Sequence, residues 1–188
     1  RWKIQNQKAQ CRGSKQSGRH CSRKIAGRKI DKSSGKSGRQ HRLPTCKPVD
    51  TIHEIRQIQN KTVIFDAGHN PHGVEFLLNQ LRKFLKYNKQ YTEVVSVFSM
   101  LADKDVKSVT ELLKDSIQMW KIAALTVPRA APIEQLDQAL QGQHVQHFDS
   151  VKLAFKSALD ETKNNQLILV CGSFHTLEAV WEYLEECQ

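Results

Sequence analysis

The chain has 188 residues, enough for one domain with a hydrophobic core and an additional segment. Its formal net charge is +10, but residues 1–60 hold 16 Lys and Arg against 3 Asp and Glu, whereas residues 61–188 hold 13 against 16. The basic character therefore belongs to the first third of the chain, which excludes a nucleic-acid-binding surface as a property of the whole protein.

The cysteines and the hydropathy pattern exclude two further classes of protein. The five cysteines are odd in number and irregularly spaced, so a disulfide framework is not expected and a reducing, cytoplasmic compartment is favoured. No apolar run approaches the ~20 residues that a membrane-spanning helix needs, so no membrane association is expected.

The first 60 residues are predicted to be a basic leader that is disordered or mistranslated. Gly, Ser, Lys and Arg dominate them, and such a polar segment cannot bury enough apolar surface to offset the entropy of ordering. The ordered domain is expected to cover residues 61–188.

Strands and helices alternate from Lys61 onward. Short apolar, β-branched runs predict strands, and apolar residues at helical spacing predict helices between them. The predicted strands are 62–65, 93–98, 121–127, 144–147 and 166–170. The predicted helices are 74–85, 106–117, 132–140, 151–159 and a last one capped by Thr176. This order predicts an α/β fold, a mostly parallel sheet with helices on both faces.

The first strand runs into a polar turn that contains Asp66, His69, Asn70 and His72. An Asp at the carboxyl end of a parallel strand commonly binds a ribose, and imidazoles can contact phosphates or carboxylates. An ordinary turn with an Asp helix cap and a surface histidine is the alternative. The spacing of the acid and the two histidines could also hold a metal, but no Cys or further carboxylate accompanies them, so we predict no metal site.

The second polar loop, Asp103-Lys104-Asp105, follows the second strand. Its charges could hold an amino-acid substrate, position a phosphate or pair with one another. Alone, it is better explained as a charged loop with an Asp helix cap.

The third loop follows the most apolar strand and contains Gly172, Ser173 and His175. Glycine lets the backbone approach a ligand closely, and a helix start offers amides to an anion. The preceding Cys171 is expected to be a buried structural thiol. Because the carboxyl ends of parallel strands meet at one edge of a sheet, the three loops together predict a site there.

The same three loops resemble one family. The stretches VIFDAGHNPH at 63–72, FSM at 98–100 with DKD at 103–105, and CGSFHT at 171–176 are similar to the carboxy-terminal domain of the folylpolyglutamate synthase/dihydrofolate synthase family, within the Mur ligase superfamily. The resemblance implies a Rossmann-like Mur ligase domain over about residues 61–188.

The resemblance implies an ATP- and Mg-dependent reaction. A folate or pteroate carboxylate would be phosphorylated, and the amine of glutamate would attack the acyl phosphate. By this resemblance, Asp66 would bind the nucleotide ribose, His69 would position nucleotide and glutamate as the catalytic residue, and Asn70 would lie at the nucleotide. Ser173 and His175 would line the glutamate side.

The resemblance leaves other residues without a role, namely His72, Asp103, Lys104 and Asp105. The family's ATPase domain and its Walker A loop lie upstream of this domain, and nothing here replaces them. ATP and Mg would therefore be bound mainly by that missing domain, and the chain alone is expected to be inactive. A Pro-Gly-Arg segment of the family is also unmatched, since Gly38-Arg39 lies far from Asp66 and Arg56 lacks the Gly.

Two other functions stay open. One is a nucleic-acid-binding protein with a basic arm at residues 1–50 and an unrelated α/β domain. The other is a different Mur-type amide ligase, acting on cell-wall peptides or cyanophycin.

Overall fold

Six strands and five helices follow one another along residues 53–187, the part of the chain that the computed structural model describes. The strands are β1 His53–Ile58, β2 Lys61–Asp66, β3 Glu93–Phe98, β4 Met119–Ile122, β5 Val145–His147 and β6 Gln166–Cys171. The helices are α1 Pro71–Tyr87, α2 Val106–Leu113, α3 Ile133–Ala139, α4 Val151–Glu161 and α5 Phe174–Glu186. The predictions made for residues 1–52, including the basic leader and Gly38-Arg39, lie outside the described residues.

The strands form one sheet in the order β1-β2-β6-β3-β4-β5. Only β1 is antiparallel to its neighbour, so the prediction of a mostly parallel α/β sheet is confirmed. Hydrogen-bonding register places Asp66 beside Cys171, Cys171 beside Phe98, and Phe98 beside Ile122. The carboxyl ends of four strands therefore lie level at one edge, and the loops after them share it.

Helices cover both faces of the sheet. Alternate residues of β6 point to opposite sides: Leu167 and Leu169 join the core under α1, α2 and α3, whereas Ile168 and Val170 join the core under α4 and α5. Burial on both faces explains why the parallel strands read as continuous apolar runs. Among the helices of residues 53–187, none has the length and apolar character needed to cross a bilayer.

The structure extends the ordered region upstream of the predicted start at Lys61. Strand β1 forms a hairpin with β2 through a turn in which Gln59 and Asn60 both have positive φ. The strand was missed because it lies at the sheet edge and its sequence, HEIRQI, is mostly polar. Ile55 is accordingly one of the exposed large apolar residues.

Two predicted boundaries along the chain were wrong. The predicted third strand, 121–127, is strand β4 of the structure and covers Met119–Ile122. Ala123 and Leu125 are apolar because the loop buries them against the core. The second helix ends at Leu113 and continues as a short 3-10 turn, Lys114–Ser116, rather than reaching residue 117.

The last helix begins three residues earlier than predicted. Ser173, not Thr176, is its N-cap, because the Ser173 hydroxyl accepts the Thr176 N–H at 3.1 Å. The Thr176 hydroxyl instead donates to the carbonyl of Ser99 at 2.8 Å, which ties α5 to the loop after β3.

A buried lysine connects β4 to α4 on the face of the sheet that α4 and α5 cover. The side chain of Lys121 is 2% exposed, and its Nζ donates to Ser157 and Glu161, both at 2.8 Å, and to Gln146. The hydrogen bond from Lys121 lowers the pKa of Glu161, with a further contribution from Ser157. The ammonium is therefore compensated by polar partners, as a buried charge requires.

We expect Glu161→Gln to lower the free energy of unfolding at pH 7 by about 1 kcal/mol, a modest loss because the Glu161 side chain is 58% exposed. A carboxyl whose pKa is lowered by folding contributes stability above its unfolded value, near 4.5, and loses it as the pH falls through the folded value. Urea unfolding should therefore show that Glu161→Gln is less stable than wild type at pH 7 and that this difference in stability is smaller near pH 3.

Glu185→Gln, at an exposed position on α5, is the matched control and should leave stability unchanged at both pH values. A Glu161→Gln loss that stays constant with pH would contradict the ion-pair explanation.

At Gly172 two loops of the carboxyl edge pack closely against each other. Its φ is +108°, and a Cβ at this position would lie 2.4 Å from the carbonyl oxygen of Ser99 and 2.8 Å from the Phe98 ring. Gly142 also has positive φ, +84°, but a Cβ there would meet nothing within 4 Å.

We expect Gly172→Ala to lower the free energy of unfolding by about 3 kcal/mol or more, because backbone strain and a clash with a backbone atom add together. Gly142→Ala should cost only about 1 kcal/mol, since it carries the backbone strain alone. Urea unfolding followed by circular dichroism measures both. Equal losses in the two variants would show that the contact with Ser99 does not matter.

Candidate functional site

A cleft of about 230 Å³ opens at the carboxyl edge of the sheet. Four loops contribute to it, those that follow β2, β3, β4 and β6. Its lining residues are His69, Leu101, Lys104, Arg129, Ser173, Phe174 and His175. The structure thus brings residues of all three sequence-predicted loops together, and it adds a fourth loop that contains Arg129.

His69 is held by the turn that follows β2. Its Nδ1 lies 2.9 Å from the carbonyl oxygen of Ala67, and because a carbonyl only accepts, Nδ1 carries the proton and donates. The neutral ring then has its lone pair on Nε2. The ring also lies beside that of Phe174, with 6.2 Å between the ring centroids. His69 is therefore oriented from two sides at the cleft.

Asp66 lies behind His69 and not in the cleft lining. It is fully buried, and its Oδ1 accepts the N–H of Gly68 at 2.7 Å. In this structure the carboxylate shapes the turn that carries His69. It is not the helix cap considered from the sequence, because Asn70 caps α1.

Asn70 and His72 lie at the start of α1. The Asn70 side chain accepts the N–H of Gly73 at 2.9 Å, and Pro71 occupies the first helical position. Both Asn70 and His72 are exposed and neither lines the cleft. The described residues contain no cluster of three or more His, Cys, Asp or Glu side chains that could hold a metal ion.

Ser173 closes the cleft at the start of α5. Its hydroxyl caps the helix, as described above, and lies 2.9 Å from the Thr176 hydroxyl. The side chain is buried, so its contribution to the cleft is to set where the helix begins. The N-terminus of α5 adds a partial positive charge at this place.

His175 lies in the first turn of α5, and it is partly exposed. Its Nδ1 lies 3.1 Å from Oε2 of Glu178, one turn further along the helix. The Glu178 contact orients the ring on the helix surface at the rim of the cleft.

The loop after β3 places Lys104 in the cleft and Asp103 beside it. Oδ2 of Asp103 contacts Nη1 of Arg129 at 3.2 Å and Nζ of Lys104 at 3.8 Å. Asp105 instead caps α2 by accepting the N–H of Ser108 at 3.0 Å, and hydrogen bonds with Ser108 lower the pKa of Asp105. The three charges of this loop therefore have different tasks.

The polar side chains that line the cleft are mostly basic. A lysine, an arginine and two histidines line it, and its lining contains no Asp or Glu. Cys171, just behind it, contributes no thiolate: burial raises the pKa of its thiol to about 12, and its Sγ lies 3.6 Å from the Ser96 hydroxyl. The arrangement suits binding of an anionic ligand, with a histidine Nε2 at hand to accept a hydrogen bond or a proton.

The sequence analysis missed Arg129 and Phe174 as site residues. Arg129 follows Pro128 in the loop after β4, which ends at the same sheet edge as the other three loops. The strand-end rule applied to the other loops would have found it. Phe174 was passed over because an exposed aromatic in a turn carries no chemical signal of its own.

A second, apolar groove of about 260 Å³ lies between β1 and α1, lined among others by Ile55, Leu81, Phe84 and Tyr87. It holds none of the predicted site residues. None of the loops that contain those residues reaches it, so the smaller cleft at the carboxyl edge is the candidate site.

Comparison with known proteins identifies the family to which the chain is similar. The family model described as Mur ligase, glutamate ligase domain, matches residues 52–174. Dihydrofolate synthase/folylpolyglutamate synthase of Escherichia coli (strain K12) is 37% identical over 127 residues, which are 68% of this chain and 29% of that protein. The chain thus spans less than a third of the length of this relative.

Two solved structures show the same fold in such relatives. E. coli FolC in complex with DHPP and ADP superposes with a TM-score of 0.61 at 37% identity, over 67% of this chain and 29% of that one. A bifunctional folylpolyglutamate synthase/dihydrofolate synthase with Mn, AMPPNP and L-glutamate bound superposes with a TM-score of 0.62 at 30% identity, over 70% and 30%.

The resemblance inferred from the three loops is therefore confirmed by relatives that bear the same family name. Since the family model also covers well over half of the sequence, this chain belongs to the Mur ligases through their glutamate ligase domain.

Proposed function

We propose that this chain is the carboxy-terminal part of an ATP-dependent ligase that adds L-glutamate to a folate-type carboxylate. The observation that carries the proposal is the cleft lined by basic side chains, in which His69 and Lys104 meet the start of α5 at the carboxyl edge of the sheet. An acidic amino acid is a ligand for such a cleft, and the relatives named above include one with L-glutamate bound.

The proposed reaction uses ATP to activate a carboxylate. A carboxylate is a poor electrophile, and transfer of the γ-phosphoryl group gives an acyl phosphate and ADP. The glutamate amine then attacks the acyl carbon, phosphate leaves, and the amine loses a proton as the amide forms. The chain's own part would be to bind and orient glutamate and one side of the nucleotide.

His69 is the proposed catalytic residue. With Nδ1–H donated to Ala67, its Nε2 is available to accept a hydrogen bond or proton from the incoming ammonium group. Ser173 and His175 are proposed for the glutamate side, Ser173 through the position of α5 and His175 through its partly exposed ring. The role of Lys104 would be to neutralise negative charge at the centre of the cleft.

Asp66 and Asn70 are proposed for the nucleotide side. The burial of Asp66 supports an indirect part, in which its carboxylate holds the turn that presents His69 and Asn70. Direct contact with a ribose stays a prediction. Arg56, considered above as a match for the Arg of the family's Pro-Gly-Arg segment, pairs with Glu54 at 2.8 and 2.9 Å and does not line the cleft. No nucleotide contact is therefore proposed for it.

The divalent metal is not assigned to this chain. The lysine, arginine and histidine side chains of the cleft do not form an oxygen-ligand set for Mg²⁺. We propose that Mg²⁺ and most ATP contacts belong to the upstream part of the longer ligase. The cytoplasmic location expected from the cysteine pattern stays a prediction.

The isolated chain should show no ATP-dependent glutamate addition, because it contains one side of the proposed site only. A chimera in which residues 53–188 replace the matching carboxy-terminal segment of the E. coli relative should restore it. Release of ADP and formation of a glutamylated folate or pteroate, followed by mass spectrometry, measure both. Turnover by the chain alone, or a folded chimera that acts only on cell-wall peptide precursors, would contradict the proposal.

In that chimera, His69→Ala should lower kcat/KM for glutamate addition by about 100-fold, the usual loss for a group that takes part in proton transfer. His144→Ala, at the exposed residue that precedes β5, is the matched control and should leave kcat/KM unchanged. Equal activity of the two variants would remove His69 from the chemistry.

Nucleic-acid binding by residues 1–50 is the rival function, based on their basic composition alone. It predicts sequence-independent binding of RNA or DNA that weakens steeply with salt and disappears when residues 1–50 are deleted. The ligase proposal expects the deletion to leave binding of glutamate unchanged.

A further inference from the structure

The backbone around Arg129 is hydrogen-bonded to the loop that contains Lys104. The N–H of Ala102 donates to the carbonyl of Arg129 at 2.8 Å, and the N–H of Ala131 donates to the carbonyl of Met100 at 2.9 Å. The loops after β3 and β4 are thereby joined as a short antiparallel bridge. These hydrogen bonds hold the backbone of Arg129 in place relative to the loop that contains Lys104.

The guanidinium of Arg129 has a weak partner. Its Nη1 contacts Oδ2 of Asp103 at 3.2 Å, and the two side chains are 67% and 44% exposed. Exposed ion pairs of this kind contribute little free energy. A guanidinium also has five N–H donors in a planar fork that matches a carboxylate held by two hydrogen bonds. A ligand carboxylate can therefore compete with Asp103 for this group.

The position of Arg129 along the sheet edge indicates which carboxylate it can reach. The strands lie in the order β2, β6, β3, β4, so His69 and Arg129 come from the two outermost of the four loops that line the cleft. Three strand intervals of about 4.8 Å separate those strands, and long side chains shorten that span. If the reacting amine lies at His69, the distal carboxylate lies toward Arg129.

We propose that Arg129 binds the side-chain carboxylate of the amino-acid substrate, and that Asp103 occupies this guanidinium until the substrate displaces it. The inference rests on the proposed function, because it takes the amino acid to be glutamate. It makes Arg129 the residue that distinguishes an acidic amino acid from its amide, with Lys104 left for the other carboxylate or for phosphate charge.

The test is an NMR titration of the full ¹⁵N-labelled chain with L-glutamate and, separately, with L-glutamine. The wild-type chain should bind glutamate more tightly, with shifts at the amides of residues 101–105 and 172–176. Arg129→Gln should weaken glutamate binding by about tenfold, the loss expected for one charge-assisted hydrogen-bonded contact, and should abolish the preference over glutamine.

Asp103→Asn distinguishes two possible roles of Asp103. Either Asp103 competes with the substrate for Arg129, or the ion pair braces the two loops. If Asp103 competes with the substrate, its removal frees the guanidinium and glutamate should bind about two- to threefold more tightly. If the pair only braces the two loops, both variants should weaken binding, and that result would overturn the inference. Arg82→Gln, at an exposed position on α1, is the control and should bind as wild type.

The two proposals fail in different ways. Glutamate binding that is unchanged in Arg129→Gln, with a well-dispersed spectrum, overturns the role of Arg129 and leaves the proposed function standing. A folded wild-type chain that shows no glutamate-dependent shifts, even at concentrations far above those needed for weak binding, overturns the glutamate site and the inference together.

Discussion

The close packing of Gly172 against the carbonyl of Ser99 is the contact on which the candidate site depends. Because no side chain separates them, the turn after β6 lies directly on the loop after β3. The same carbonyl accepts the hydroxyl of Thr176, and Ser173 can then cap α5. Phe174 and His175 consequently reach the cleft that also contains Lys104. A β-carbon at Gly172 would push the turn after β6 away from the loop after β3.

The electrostatics of the cleft arise from loop placement and not from composition. Residues 61–188 contain more acidic than basic residues, and yet the lining of the cleft is wholly cationic or neutral. Two acids outside the lining contact these residues: Asp103 contacts both Lys104 and Arg129, and Glu178 contacts His175. A negatively charged ligand would therefore meet basic side chains in the cleft, although acidic residues outnumber basic ones in the domain as a whole.

Pattern reasoning succeeded where one physical cause dominates. Burial on both faces makes parallel strands continuously apolar, so β3 and β6 were predicted to within a residue. Pattern reasoning failed where two physical causes compete. The apolar residues Ala123 and Leu125 pack under a loop without extending β4, and the polar β1 pairs at an edge that needs no apolar side chains. Thr176 has the chemistry of a helix cap, but its hydroxyl is taken by a tertiary contact.

The sequence by itself determined the α/β class, the three polar loops at strand ends and the family they resemble, because these depend on local order along the chain. Only the tertiary structure decided which residues meet. It buried Asp66 behind the turn, left His72 at the surface, and brought Arg129 from a fourth loop into the cleft. Strand order and register set these distances, and they follow from how the helices and strands pack, which no local pattern encodes.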